Sequence, residues 1–516
     1  MVYSYNPLWK LLIDKGMTKT EMRLKAGLTT SILAKLGKNE PVSMDSLAKI
    51  SAALDCGISD IVEFVAEEKE TEVVKVKKKP TAIDLFCGAG GCSEGLIQAG
   101  FQILFSSDIS EMVEVTYRHR HEQLGLIQGK NTWFERADIR DLTGDTIKDR
   151  IASLEIMQGK EFPDIDLMIG GPSCQGFSRA GRRDKSDPRN MLFGEYVRVI
   201  SEVRPKYIVL ENVEGFVDMQ FMGYKGITGI EYPDGSVTPF ILRSELEEIG
   251  YHTLKPQILN AADYGVPQRR NRIIFMGYRD GLPAPSYPEP ILSPTEYLTL
   301  KDAIGDLISS DAVRNVVNGN YTQYQIDSIN GRTPRVDGKP IVARKNLNTE
   351  LPKQTDIVVE RFELFKEGET GTELKKRIVN QGIDISGKKA LVKLCANTFG
   401  MSEQEVIELF KNAKADTEQI EVLLTKKNIR QRWSSNMPAA TVVTIPDDYI
   451  SPWDARTFSV REMARCQSFD DSFEFLGKRT TGGLRRRVEI PQYTQVGNAV
   501  PPLLAKAVVS EIAKLL

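Results

Sequence analysis

A chain of 516 residues, 41% hydrophobic and 27% charged, is long enough for two or three domains and too apolar to stay unfolded. Its formal net charge of -2 excludes a polycation that coats nucleic acid along its whole length, so any basic groove must be local. Six cysteines without a CxxC pair and only three histidines argue against a metal site. The absence of a long apolar run or signal layout argues against a membrane partner and for a reduced, cytoplasmic protein.

Residues 1–66 read as a small all-α domain. A short amphipathic helix covers Trp9 to Gly16. Thr18-Lys-Thr-Glu21 is a capping box that opens a second helix ending before Gly27. A third helix begins at Leu28 with Thr29 as N-cap, and Ser43 opens a fourth over Met44 to Leu54. Helix, glycine-containing turn, helix is the spacing of a helix-turn-helix, whose second helix enters the DNA major groove. Thr29, Thr30 and Ser31 would face bases from its first turn, with Lys35 reaching phosphate. A bundle used only for protein contacts is the plainer alternative. The stretch resembles the Cro/C1-type helix-turn-helix domains of bacterial regulators, including the Ala26-Gly27-Leu28 turn. Residues 67–79 are charged and core-less, a linker.

From residue 80 strand and helix patterns alternate, which points to a doubly wound α/β sheet. The first strand runs into Cys87-Gly88-Ala89-Gly90-Gly91, a loop that lets a ligand approach backbone closely. A second strand, Gln102 to Ser107, delivers Asp108 where a ribose-binding acid belongs. A third is expected to end in Asp138-Ile139, an acid and an apolar residue suited to the amino edge and the face of an adenine. The loop lacks GxGxxG spacing and a P-loop lysine, so the cofactor expected is an adenosine without pyrophosphate.

The next apolar run, Asp164 to Ile169, leads into Gly170-Gly171-Pro172-Ser173-Cys174-Gln175-Gly176-Phe177-Ser178. Two glycines and a proline describe a tight loop just past a strand end, a suitable mount for a nucleophile. A lone cysteine is more often buried and inert, but this one has company. Lys206 to Leu210 reads as a buried strand ending in Glu211-Asn212-Val213, where burial would raise the carboxyl toward the range of a proton donor. Further on, Arg270 and Arg272 alternate onto one face of a strand and could hold an anionic or carbonyl group. From 281 to 430 the alternation fails. That region reads as an inserted domain with a partly basic surface and helices near Glu360–Phe365, Lys388–Thr398 and Ser402–Lys414. Regular patterns resume over 431–516 and close in an amphipathic helix.

Taken together these stretches resemble the ordered motifs of the DNA (cytosine-5)-methyltransferase family. The motifs are Asp84-Leu-Phe-Cys-Gly-Ala-Gly-Gly91, the Cys174 loop, Glu211-Asn-Val213, Gln268-Arg-Arg-Asn-Arg272, Arg461-Glu462 with Arg465-Cys-Gln-Ser-Phe469, and Gln495-Val-Gly-Asn498. The resemblance implies a doubly wound mixed sheet of the S-adenosylmethionine-dependent methyltransferase fold. The catalytic domain would comprise residues 80–280 and 431–516, interrupted by a target-recognition domain at 281–430. It implies methyl transfer to carbon 5 of a flipped-out cytosine in a specific double-stranded DNA sequence. Cys174 would be the nucleophile, Glu211 the acid, and Arg270 and Arg272 would steady the base and its attacker. Phe86, Gly88, Gly90, Gly91, Asp108, Ile109, Asp138, Ile139, Pro172 and Asn498 would line the S-adenosylmethionine pocket, and Gln175 and Ser178 would meet DNA. Two departures stand out: Ser173 where the family usually has proline, and Asp108 where it usually has glutamate. The expected setting is a bacterial restriction-modification system with a restriction endonuclease encoded nearby, and an operator near its own gene as a second target of residues 1–66. Methylation of cytosine in a structured RNA and a mainly regulatory protein remain the alternatives.

Overall fold

The computed structural model describes residues 2–65, 79–172, 191–308, 321–345, 347–426, 430–483, 485 and 488–516. The chain divides into two compact units, Met1–Lys78 and Lys79–Leu516.

The first unit runs β1 (Val2–Ser4), α1 (Asn6–Asp14), α2 (Lys19–Lys25), α3 (Thr30–Gly37), α4 (Met44–Leu54) and β2 (Glu63–Val65). Local chemistry sets the helix starts. Thr18 and Glu21 form the capping box of α2, and the side chains of Thr29 and Ser43 accept from Ile32 N–H and Ser46 N–H to cap α3 and α4. One apolar stripe from each helix, including Leu8, Met22, Leu36 and Ile50, closes a shared core. The unit is not wholly helical as expected, because β1 and β2 pair antiparallel and join its two ends. Three-residue strands are too short to show a period. The first helix also starts earlier than expected, since Pro7 fits its first turn, where no backbone donor is needed.

The second unit is built on a sheet. Its elements are β3 (Thr81–Leu85), α5 (Gly91–Gln98), β4 (Gln102–Asp108), α6 (Glu111–Leu124), β5 (Trp133–Arg136), α7 (Gly144–Ala152), β6 (Leu167–Gly170), α8 (Leu192–Val203) and β7 (Tyr207–Asn212). A small hairpin of β8 (Gln220–Phe221) and β9 (Ser236–Val237) follows, then α9 (Thr238–Glu248), β10 (Tyr251–Thr253), β11 (Gln257–Asn260) and β12 (Asn271–Arg279). Among the described residues eight strands form one sheet in the order β5-β4-β3-β6-β7-β12, with β10 and β11 both pairing with β12. Pairing is parallel from β5 to β7, and β12 runs antiparallel to β7, so the sheet is mixed. The chain leaves β3 for β4 on one side and returns to β6 on the other. That reversal opens a crevice at the strands' carboxyl ends.

The strands read as unbroken apolar runs because both faces are covered. Ile83, Leu85, Met168, Ile208 and Leu210 face a core with Ile147 of α7, Phe193, Val197 and Ile200 of α8 and Ile241 of α9. Ala82, Ile103, Leu167, Ile169 and Val209 face the other core with Leu96 of α5 and with Leu504, Val508 and Ile512 of the closing helix Pro502–Ala513.

The third strand stops three residues earlier than expected. Its pairing with β4 ends at Arg136, and Asp138 then turns the chain by accepting from Arg140 N–H at 3.0 Å.

Residues between 281 and 430 divide between two cores. The helices Leu300–Ile304 and Gln323–Asn330 contribute Leu300, Ile304 and Tyr324 to a core with Trp433, Phe458, Phe469 and Val496. The helices Asp356–Glu363, Gly371–Gln381, Lys389–Phe399, Glu403–Lys411 and Thr417–Leu424 close around Phe362, Leu374, Leu391, Phe410 and Ile420. Two of these helices were not expected from periodicity, yet the capping boxes Thr370/Glu373 and Asp416/Gln419 announce both. No helix among the described residues is long and apolar enough to cross a membrane.

Candidate active site

The glycine loop sits at the carboxyl end of β3, and β4 holds its shape. Phe86, Gly88 and Gly90 take positive φ angles of 55°, 53° and 101°. Cys87 N–H donates to Ser107 O at 3.1 Å, and Gly88 N–H donates to Asp108 Oδ2 at 3.1 Å. Asp108 Oδ1 accepts from Ser110 N–H at 2.9 Å. Burial raises the Asp108 carboxyl above the usual range, opposed by these backbone donors.

On its open side the loop is bare: a Cβ added at Gly88 would meet nothing within 4 Å. On its other side it is jammed, because a Cβ at Gly91 would lie 2.1 Å from Val500 O. That contact brings the segment after the helix Gln492–Asn498, with Asn498 exposed, against the loop. Ile109 extends beyond β4 with 63% of its surface exposed. Asp138 pairs with the Arg140 guanidinium, which holds its carboxyl below the usual range.

Ile139 corrects the expectation. Its side chain is only 5% exposed and belongs to the buried cluster of Leu142 and Ile147, so it cannot offer an apolar face to an adenine. With the strand ended at Arg136, the residue falls on the inner side of the following turn. Bare backbone beside the Asp108 carboxylate suits ribose hydroxyls, while the Asp138 carboxylate is already engaged by Arg140. The site therefore fits a nucleoside cofactor.

The second cluster lies at the end of β7. Antiparallel register sets Ile274 opposite Glu211 and Ile273 opposite Asn212, so Arg272 arrives beside the acid. Arg272 Nε donates to Glu211 Oε1 at 2.7 Å, with each side chain 11% exposed. Burial raises the Glu211 carboxyl above its usual range, while Arg272 and then Arg270 pull it back. The other carboxylate oxygen, Oε2, would be 3.2 Å from a Cβ at Gly171, so it faces the chain leading toward Cys174. Asn212 Nδ2 donates to Pro172 O at 3.0 Å. Gly171 and Asn212 thus serve the site although neither had been assigned a role, and their signal was adjacency to Cys174 and Glu211 in sequence. Cys174, Gln175 and Ser178 lie outside the described residues.

Arg270 is a second correction. It was expected to share a face with Arg272, but β12 begins only at Asn271, and strand alternation does not reach it. Arg270 is 1% exposed, and its Nη atoms donate to the carbonyls of Val442, Gly497 and Ala499 at 2.8–3.1 Å. It is a strut between the sheet and the closing part of the chain, not a group free to hold a base. Gln268 is another, donating to Cys466 O and Gln467 Oε1. In the first unit Thr29, Thr30, Ser31 and Lys35 are all exposed along α3.

A mixed doubly wound sheet with a glycine loop at its switch point, and an acid–arginine pair two strands away, defines a nucleoside-cofactor-dependent α/β enzyme. Residues 81–514 match the family described as C-5 cytosine-specific DNA methylase, and the chain belongs to that family. Residues 7–67 match the Cro/C1-type HTH DNA-binding domain. The chain is 29% identical to the Type II methyltransferase M.DdeI of Desulfomicrobium norvegicum, over 84% of this chain and 88% of that one. It is 31% identical to the Type II methyltransferase M.XorII of Xanthomonas oryzae pv. oryzae, over 85% of each. A solved E. coli structure, described as a prophage-encoded DNA modification methyltransferase, shares the fold with a TM-score of 0.53 at 21% identity. It covers 84% of this chain and 99% of that one. The protein is a DNA methyltransferase acting on carbon 5 of cytosine.

Proposed function

We propose that the enzyme modifies a cytosine swung out of a specific duplex sequence, at a cost of a few kcal/mol for unstacking. Carbon 5 of cytosine is a poor nucleophile. The Cys174 thiolate therefore adds to carbon 6, forming a carbon–sulfur bond, while Glu211 delivers a proton to ring nitrogen 3. The displaced electron pair makes carbon 5 enamine-like. S-adenosylmethionine, when bound, supplies an electrophilic methyl group for that carbon. Loss of the carbon 5 proton to water then re-forms the ring double bond and expels the thiolate, and the nitrogen 3 proton returns to Glu211, so one hard step becomes two easier ones.

The observation that carries this reading is the buried Glu211–Arg272 pair aimed at Gly171, three residues before Cys174. Burial keeps the carboxyl able to hold a proton, and Arg272 fixes its direction. Phe86, Gly88, Gly90, Gly91, Asp108, Ile109, Asp138, Pro172 and Asn498 would hold the cofactor, with Asp108 on the ribose. Gln175 and Ser178 would meet DNA. Residues 281–430 would supply target recognition.

The relatives named as Type II methyltransferases favour a modification enzyme of a restriction-modification system in the bacterial cytoplasm, paired with a cognate endonuclease. The exposed row Thr29, Thr30, Ser31 and Lys35 favours a second activity, binding of an operator near its own gene.

A duplex containing 5-fluorocytosine should trap the protein covalently through Cys174, and Cys174→Ser should abolish both trapping and methyl transfer. An adduct on another side chain, or preferred methylation of tRNA over duplex DNA, would overturn the reading. Gel retardation with the full chain against its variant Thr30→Ala/Lys35→Ala tests the operator. Equal affinity of the two proteins for the upstream DNA would remove that activity.

A further inference from the structure

Beneath the glycine loop, four side chains from four elements share one line of hydrogen bonds. Asp84 Oδ2 on β3 and Ser93 Oγ on α5 are 2.5 Å apart. Ser93 Oγ and the Tyr117 hydroxyl on α6 are 2.7 Å apart, and Tyr117 and Ser106 Oγ on β4 are 2.5 Å apart. All four are almost wholly buried. Proton counting gives the direction when Asp84 is ionised. Ser93 then gives its one proton to Asp84, so Tyr117 donates to Ser93 and Ser106 to Tyr117. The Tyr117 ring clusters with Cys87 of the loop and with Phe134, whose centroid is 5.2 Å away. A Cβ at Gly90 would come within 3.3 Å of two ring carbons.

We propose that Tyr117 is a positioning residue for the cofactor loop: its ring props Gly90 and Cys87 from below, and its hydroxyl ties α5 and the ends of β3 and β4 into one frame. The proposal rests on the reading of Phe86–Gly91 as the cofactor site. Three of the loop's residues hold positive φ, one of them the non-glycine Phe86. Such backbone persists only where its surroundings over-determine it. The hydrogen-bonded line reaches each element that bounds the loop: the strand that ends at Leu85, the strand that ends at Asp108, and the first turn of the helix that starts at Gly91. Loss of the hydroxyl keeps the ring and frees the frame, so the loop should sample shapes that no longer accept the cofactor.

The test measures binding by calorimetry on the full chain, with S-adenosylmethionine and S-adenosylhomocysteine as probes. Tyr117→Phe should weaken both about tenfold, the scale of a lost buried hydrogen-bond pair. The KM for cofactor should rise in step, and the KM for duplex DNA should not. Ser93→Ala should behave alike. The double variant should be little worse than either single, since both break one line. A lower melting temperature with unchanged affinity would mark Tyr117 as merely structural and overturn the proposal. Should Tyr117→Phe not fold, Ser106→Ala removes the outermost bond, and unchanged affinity there overturns it equally. Asp108→Ala separates the two readings. If it weakens binding while Tyr117→Phe does not, only the role of Tyr117 fails. If Asp108→Ala leaves affinity unchanged, the cofactor site is misplaced and the proposal falls with it.

Discussion

Replacing Arg272 by Met isolates what the arginine does for Glu211. The methionine keeps most of the apolar stem and removes the guanidinium that donates to Glu211 Oε1 at 2.7 Å. Both side chains are 11% exposed, so water screens the pair little. Stripping one partner from such a buried pair costs about 3–5 kcal/mol if the other charge stays ionised. Glu211 has a way out, because it can take up a proton. Burial already raises its carboxyl, and Arg272 is the largest influence holding it down. In the variant the folded-state pKa therefore climbs further above the unfolded value of about 4.3. A group raised in this way contributes its stability below the unfolded pKa and loses it as pH rises through the folded pKa. The stability gap between wild type and Arg272→Met should thus be small near pH 5 and widen toward pH 8.5. Thermal unfolding followed by circular dichroism across that range measures it. Methyl transfer should fall by about 100-fold or more, since the acid loses its fixed direction. A gap that stays constant with pH would refute the reasoning, because it would mean that the pair is not a coupled, buried one.

Four further outcomes follow from the second unit. Gly95→Ala would bring a Cβ to 2.6 Å from Ala505 Cβ and Lys506 N, forcing α5 off the closing helix. It should cost about 1–3 kcal/mol in urea unfolding, with cofactor affinity little changed. Gly91→Ala, at 2.1 Å from Val500 O, should destabilise similarly and weaken cofactor binding as well, which calorimetry separates. Arg270→Met removes the donors to the carbonyls of Val442, Gly497 and Ala499, of which Ala499 O keeps Gln467 Nε2 at 3.2 Å. It should lower stability by about 3 kcal/mol and, by removing the second charge that holds the Glu211 carboxyl down, shift the pH profile of methyl transfer in the same direction as Arg272→Met but less. Burial pushes Asp84 up to about 7. The contribution of Asp84 to stability should therefore fall with rising pH, by up to ~4 kcal/mol by pH 7, and the difference between wild type and Asp84→Asn should follow that course.

The candidate site was legible wherever its chemistry is local. Glu211 could be read from four apolar residues before it, and Asp108 from its place after a strand and a glycine loop. Neither needs a distant partner to define its position. Arg270 and Ile139 misled for the same reason. Their assignment rested on extending a strand period past its end, and only pairing with a neighbouring strand decides where a strand stops: Arg136 opposite Asp108, and Asn271 opposite Asn260. Tyr117 gave no signal, since a tyrosine in a polar helix looks like any half-exposed aromatic until Ser93, Ser106 and Asp84 converge on it.

The sequence by itself determined the alternation of strands and helices around the glycine loop and Glu211, and the caps that start most helices, because each depends on neighbours a few positions away. Tertiary structure alone decided that Val500 would press on Gly91, that Gly497 would engage Arg270 rather than leave it to a base, and that Glu211 would turn one oxygen to Arg272 and the other toward Gly171. Those contacts join segments tens to hundreds of residues apart, where no periodicity links the partners. Burial chose among their polar groups by favouring arrangements in which most find a partner, Arg270 Nε being an exception.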